Sequence, residues 1–372
     1  MAVSRIASVA VATVLLAWSA PAPAQTVVKI GAALSMTGPA AAYGAQQKAG
    51  ILAAVDQINK SGVLKGMTLE AVVEDDASTK EQGLAVFQRF INKDKVAAII
   101  GPTLSNTAYA TDPMAQAAGV PVVAVSNTAP KGITDIGEWI WRVSLTEGQV
   151  IPGALKAAQA KLGFKSAAVL YGNDDAFTQG GYNVMKSALE AMGVKTVGTQ
   201  TFAKPDRDYS AQLTALLGEK PDILVVSALV ENASGIVAQA RQLGWKGPIL
   251  GGNGFNSPKL IANAGTAAEG VLVGTAWNKV STDKANQDYL ALMKALGHEP
   301  DQFCTQAYVG VQVIAEAIRL SGQGTREGVK AGFLKLKDLP TPLGHFSFQP
   351  SRDGDHAPAV QLVKDGKFQI MQ

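Results

Sequence analysis

"IIGPTLSNTAYATDPMA", residues 99–115, hands a short apolar run over to a helix-like run across Gly101-Pro102. Four small polar residues, Thr103, Ser105, Asn106 and Thr107, crowd that junction. One such side chain suffices to cap a helix by accepting a hydrogen bond from its first free N–H groups. Four suggest a second use. Free N–H groups and the positive end of the helix dipole together make an anion site that suits a carboxylate or a phosphate. The stretch alone leaves capping and anion binding both open, and it also predicts strand followed by helix.

That alternation runs outward in both directions. Upstream, "VVKIGAAL" (27–34) reads as a buried strand and 43–62 as a helix with a glycine stop. "MTLEAVVED" (67–75) reads as a strand and 79–94 as a helix with Leu84, Phe87 and Ile91 on one face. Downstream, "PVVAVS" (121–126) is a strand, and the pattern then begins again. A strand and loop are expected at 166–175, strands at 194–202 and 222–228, and a strand and loop at 247–254, with helices between them ending near Met192, starting near Tyr209 and covering 233–245. Apolar strands alternating with helices imply a parallel sheet covered on both faces, here twice over. Helices near 284–297, 303–321 and 325–336 follow. At the end, "AVQLV" and "KFQI" flank Lys364-Asp365-Gly366, a hairpin turn signal.

The first residues read differently. Arg5, the apolar run "IASVAVATVLLAW" and "APAPAQ" have the three parts of a secretory signal peptide, 1–24, with cleavage near Ala24. No cysteine follows the run, so no lipid anchor is indicated. The remaining ~350 residues suggest two domains. A net charge of +3 with scattered Lys and Arg argues against nucleic acid as a partner. The one cysteine, Cys304, sits in an apolar run and reads as a buried small side chain.

Catalytic and cofactor signatures fail one by one. There is no P-loop. Gly252-x-Gly254 lacks the third glycine of a dinucleotide fingerprint, and no G-x-S-x-G occurs. His298, His345 and His356 are isolated. "DGDH" (353–356) reads as a solvated turn and not a metal site, and "NDD" (173–175) as a helix N-cap. No enzyme, no cofactor and no metal are expected. What recurs is a polar, small or aromatic loop at the carboxyl end of a strand, where open α/β sheets bind ligands. Such loops occur at 35–44, 101–107, 125–130, 172–177 and 251–258.

In order and spacing, "KIGAALSMTGPAAAYG", "VAAIIGPTLSNTA", "AGVPVVAVSNTAP", "VLYGNDDAFTQGG", "DILVVSALVENASGIVAQARQLG" and the closing "VKDGKF" resemble the periplasmic leucine/isoleucine/valine-binding proteins of ABC importers. The resemblance covers essentially all of the chain after the leader. It implies the type I periplasmic binding fold, α/β with two doubly wound parallel-sheet lobes joined by three crossover segments. Lobe 1 would comprise 26–146 and 276–347, and lobe 2 would comprise 147–275 and 348–372. It also implies a monomer that binds a small carboxylate-bearing ligand in the cleft and delivers it to a membrane permease.

By the same resemblance, Ser105 would hold the ligand's carboxylate. Ser126 would offer backbone groups, with Thr128 beside it. Tyr43 would cover the ligand from lobe 1 and Phe177 from lobe 2. Two positions depart from the family pattern. Leu229 aligns where the amino-acid binders can have tyrosine. Asn253 aligns where they place an acid against the ligand's ammonium, and Glu147, Asp174, Asp175 and Glu231 are candidates to compensate. An amine-free aromatic or oxo acid is therefore the alternative ligand, with Phe177, Leu229 and Phe255 suiting an apolar body. Remoter alternatives are a sensor domain and an amidase-like enzyme using Cys304 or Asp174.

Overall fold

A computed structural model describes residues 25–371. The expected leader, 1–24, lies outside them. The chain opens with β1 (Thr26–Leu34), α1 (Ala41–Ser61), β2 (Met67–Asp75), α2 (Lys80–Arg89), β3 (Ala98–Ile100), α3 (Ser105–Ala117), β4 (Val122–Ala124) and β5 (Ile140–Arg142). These strands form one sheet in the order β2-β1-β3-β4-β5, parallel throughout, with Ile30 opposite Ala98 and Val123 opposite Trp141.

A second pass begins with α4 (Glu147–Leu162), β6 (Ser166–Gly172), α5 (Ala176–Ala191), β7 (Lys195–Phe202) and α6 (Ser210–Gly218). It continues through β8 (Ile223–Ser227), α7 (Val230–Gln242), β9 (Ile249–Gly251), α8 (Pro258–Ala264) and β10 (Val271–Thr275). Its strands repeat the first order, β7-β6-β8-β9-β10. The strand order reverses between β1 and β3 and between β6 and β8, the switch points at which loops part and leave a crevice.

The chain then returns to the first sheet through α9 (Lys284–Ala295), α10 (Gln302–Ser321) and α11 (Arg326–Phe333). α10 is buried along nearly its whole length, and its Val309, Val313 and Ile314 share a core with Ile30, Ile51, Ala98 and Val123. Gly50 lets α1 and α10 meet at backbone distance, since a methyl there would lie 2.1 Å from the Cys304 carbonyl oxygen. A small antiparallel sheet follows, β11 (Leu339–Thr341), β12 (Gly344–Phe348) and β13 (Gly354–Asp355). The last crossing delivers β14 (Ala359–Lys364) and β15 (Lys367–Ile370) to the second sheet, β14 antiparallel to β10. Their turn holds Asp365 at φ 53° and Gly366 at φ 69°, the left-handed pair a tight hairpin requires.

"DGDH" is not a solvated turn. Asp353 Oδ1 accepts from Arg142 Nε at 2.7 Å, and the Arg142 side chain is 1% exposed. His356 Nε2 lies 3.2 Å from the Val143 carbonyl oxygen, and burial depresses its pKa to about 4. The segment returning from the small sheet is thereby bonded to the end of β5. "NDD" does cap a helix, with Asp175 Oδ1 accepting from Phe177 N at the start of α5. No helix among the described residues is long and apolar enough to cross a membrane.

Candidate functional site

The four small polar residues before and within α3 do not cap it. The cap position is Leu104, which offers no side-chain bond to the first turn. Thr103 Oγ1 accepts from Ser35 N at 2.9 Å and donates to Gln47 Oε1 at 2.7 Å. Ser105 Oγ accepts from Ala129 N at 3.3 Å. Asn106 reaches to the second sheet, donating to Asp175 Oδ2 at 3.0 Å and accepting from Ala176 N at 3.0 Å. The N-terminus of α3, with its dipole and free N–H groups, is left facing a crevice.

That crevice lies between the carboxyl ends of the two sets of strands. From the first sheet it is lined by Tyr43, Thr103, Leu104, Ser105, Ser126 and Thr128. From the second come Phe177, Leu229, Asn253 and Gly254, and Phe303 of α10 closes one side. The walls meet closely, and the space between them is about 20 Å³, room for one or two waters. A ligand of amino-acid size requires the walls to part. Tyr43 spans them, its hydroxyl donating to the Gly254 carbonyl oxygen and accepting from Val230 N, each at 2.7 Å. Burial pushes the Tyr43 hydroxyl well above its ordinary pKa, so it stays a neutral donor.

Seven of the expected residues come together here: Tyr43, Ser105, Ser126, Thr128, Phe177, Leu229 and Asn253. Phe255 does not. It is fully buried in the core beneath Gly251, where a methyl would lie 2.3 Å from its ring. Gln47 and Gln302 were not legible in the sequence. Gln47 is fully buried and donates to Ser126 Oγ at 2.6 Å, tying Ser126 to Thr103. Gln302 Nε2 donates to Asn253 Oδ1 at 2.9 Å, while its Oε1 accepts from Ala276 N at 2.7 Å, where the chain leaves β10. The Asn253 side chain is thus spent on neighbouring protein.

None of the lining side chains carries a charge. An acid group entering here meets hydroxyls and a helix N-terminus. Of the acids named as candidates for a counter-charge, Asp174 is exposed and accepts from Lys204 N. Asp175 is paired with Lys204 Nζ at 2.8 Å. Glu231 is partly exposed in the first turn of α7. Glu147 is 1% exposed. Its Oε1 accepts from Asn253 N at 3.0 Å and stands 3.4 Å from Thr128 Oγ1. Burial pushes its carboxyl up to about 7.

Cys304 is buried in α10 with its thiol 3.4 Å from the Tyr289 hydroxyl, and burial pushes it up to about 12. Such a thiol carries almost no thiolate at neutral pH. The native protein is expected to resist a disulfide reagent such as DTNB, with labelling only after denaturation. Rapid labelling of the folded protein would contradict this placement.

The model of the family described as periplasmic binding protein matches residues 27–367. The leucine-, isoleucine-, valine-, threonine- and alanine-binding protein of Pseudomonas aeruginosa is 30% identical over 328 residues, 88% of this chain and 87% of that protein. Among solved structures, the branched-chain amino acid transporter substrate-binding protein of Streptococcus pneumoniae, in complex with isoleucine, superposes with a TM-score of 0.86. It is 27% identical, with 93% of this chain and 99% of that one covered. A solute-binding protein of an ABC transporter from R. palustris, in complex with 4-hydroxybenzoate, gives a TM-score of 0.83 at 25% identity, covering 93% of this chain and 95% of that one.

Proposed function

Because the chain belongs to the periplasmic binding protein family, we propose that it is the periplasmic receptor of an ABC importer. It takes a small amino acid of the branched-chain class in the cleft and presents it to a membrane permease. The observation that carries this reading is the uncapped N-terminus of α3, opening on a crevice lined by Ser105, Ser126 and Thr128 on one side and by Phe177 and Leu229 on the other. The polar wall suits a carboxylate and the apolar wall an aliphatic side chain.

In this reading the lobes are 26–146 with 276–347, and 147–275 with 348–372. The protein works as a monomer with no catalysis of its own, in the periplasm after loss of residues 1–24. Ligand binding shifts a hinge equilibrium between parted and closed walls, since only the closed state contacts the ligand from both sides. An amine-free aromatic or oxo acid is the second reading. It is favoured by the neutral Asn253 and by the likeness to the 4-hydroxybenzoate complex.

Calorimetric titration of protein unfolded and refolded free of ligand separates the two. Leucine, isoleucine and valine are expected to bind, with benzoate and 4-methyl-2-oxopentanoate weak or silent. Tight binding of the amine-free acids alone would replace the first reading with the second.

A further inference from the structure

An α-ammonium enclosed in a cleft without a counter-charge is costly, and every residue lining this cleft is neutral. The missing charge stands one layer behind the wall. Glu147 begins α4, just after the chain has left the first sheet, and its carboxylate is directed between two lining residues, Asn253 and Thr128. The groups that face it are Thr128 from the loop after β4, Gly252 and Asn253 from the loop after β9, and Gly181 of α5, none of them charged. Room for it is built in. A methyl at Gly252 would lie 2.2 Å from Glu147 Oε2. Among the described residues the carboxylate therefore has hydrogen-bond donors but no cation, an arrangement expensive for a protein to keep unless something else completes it.

Resting on the amino-acid reading above, we infer that Glu147 supplies the counter-charge for the ligand's ammonium and is the residue that selects amine-bearing ligands over amine-free acids. It stands against the backbone N–H of Asn253, whose own amide oxygen is engaged by Gln302. Burial raises the carboxyl to about 7, so before an amine binds it is partly protonated near neutral pH. An arriving ammonium favours the ionised form and draws the proton off. Binding of an amino acid then releases protons near pH 7, and its affinity rises with pH through that range. An oxo acid of the same shape releases none.

The test is calorimetry of the mature protein with leucine and with 4-methyl-2-oxopentanoate, each in two buffers of different ionisation enthalpy, for the wild type and Glu147→Gln. Gln keeps the shape and an oxygen for Asn253 N. We expect proton release with leucine alone in the wild type. In the variant, leucine affinity falls at least about tenfold, the release vanishes and oxo-acid affinity holds or rises. Leucine binding by the wild type without proton release, or by a folded Gln variant within twofold of wild type, overturns the role of Glu147 and leaves the receptor reading standing. A wild type that takes the oxo acid and refuses leucine overturns both. The wild-type proton count needs no variant, so poor folding of Glu147→Gln does not blunt the test.

Discussion

Replacing Arg142 with alanine is expected to lower the unfolding free energy by about 3–5 kcal/mol, the cost of breaking a buried ion pair from one side. The guanidinium is 1% exposed and its partner Asp353 17% exposed. Besides holding Asp353, Arg142 Nη1 donates to the carbonyl oxygens of Ala129 at 2.8 Å and Asn127 at 3.3 Å. Truncation leaves a carboxylate and two buried carbonyls with fewer partners. Those carbonyls shape the loop that carries Ser126 and Thr128, so ligand affinity should fall along with stability. Urea unfolding followed by far-UV circular dichroism measures the first effect. A loss below about 1 kcal/mol would mean that the pair is solvated. Asp353→Asn, which keeps an acceptor for Arg142, should cost less than Arg142→Ala.

Ser105→Ala is expected to weaken amino-acid binding by roughly tenfold to a hundredfold, from the ~1.5–3 kcal/mol that a hydroxyl bonded to a charged group contributes. The reason is position. Ser105 sits in the first turn of α3, on the cleft wall, in a helix whose cap position contributes no side-chain bond. Among the described residues, the one protein bond its hydroxyl makes is the long one from Ala129 N at 3.3 Å. Stability should therefore change little, and that separates this variant from Arg142→Ala. An affinity within twofold of wild type, in a variant with unaltered melting, would remove Ser105 from the carboxylate site.

The sheets were legible because their strands are continuous apolar runs between helices of clear period, and both units repeat that plan. The cleft was legible for a related reason: ligand loops in such sheets follow the strands, and polar loops after apolar runs mark themselves. What escaped was short or non-periodic. β5 is three residues, Ile140–Arg142, with a charged residue at its end. α4 carries a capping box formed by Thr146 and Gln149, which was readable, but Gly148, Pro152 and Gly153 dilute its helical pattern. The small sheet β11–β13 offers too few residues for any period to show. Phe255 reads as a site aromatic because it lies in a glycine-rich loop. Only the fold turns its ring under Gly251. Gln47, Gln302 and the choice of Glu147 among the four candidate acids as the one that meets Asn253 were beyond reach for a different reason. Each is a contact between residues far apart in sequence, 106 positions for Glu147 and Asn253, and no local pattern encodes which distant wall a side chain will meet.

A crystal structure of the mature protein saturated with leucine tests the central claim most directly. The expected result is leucine between the two sheets, its carboxylate at the N-terminus of α3 against Ser105, its ammonium in the corner of Thr128, Asn253 and Glu147, and its side chain against Phe177 and Leu229. Leucine seated elsewhere on the molecule, or in the cleft with its carboxylate turned away from α3, would contradict it.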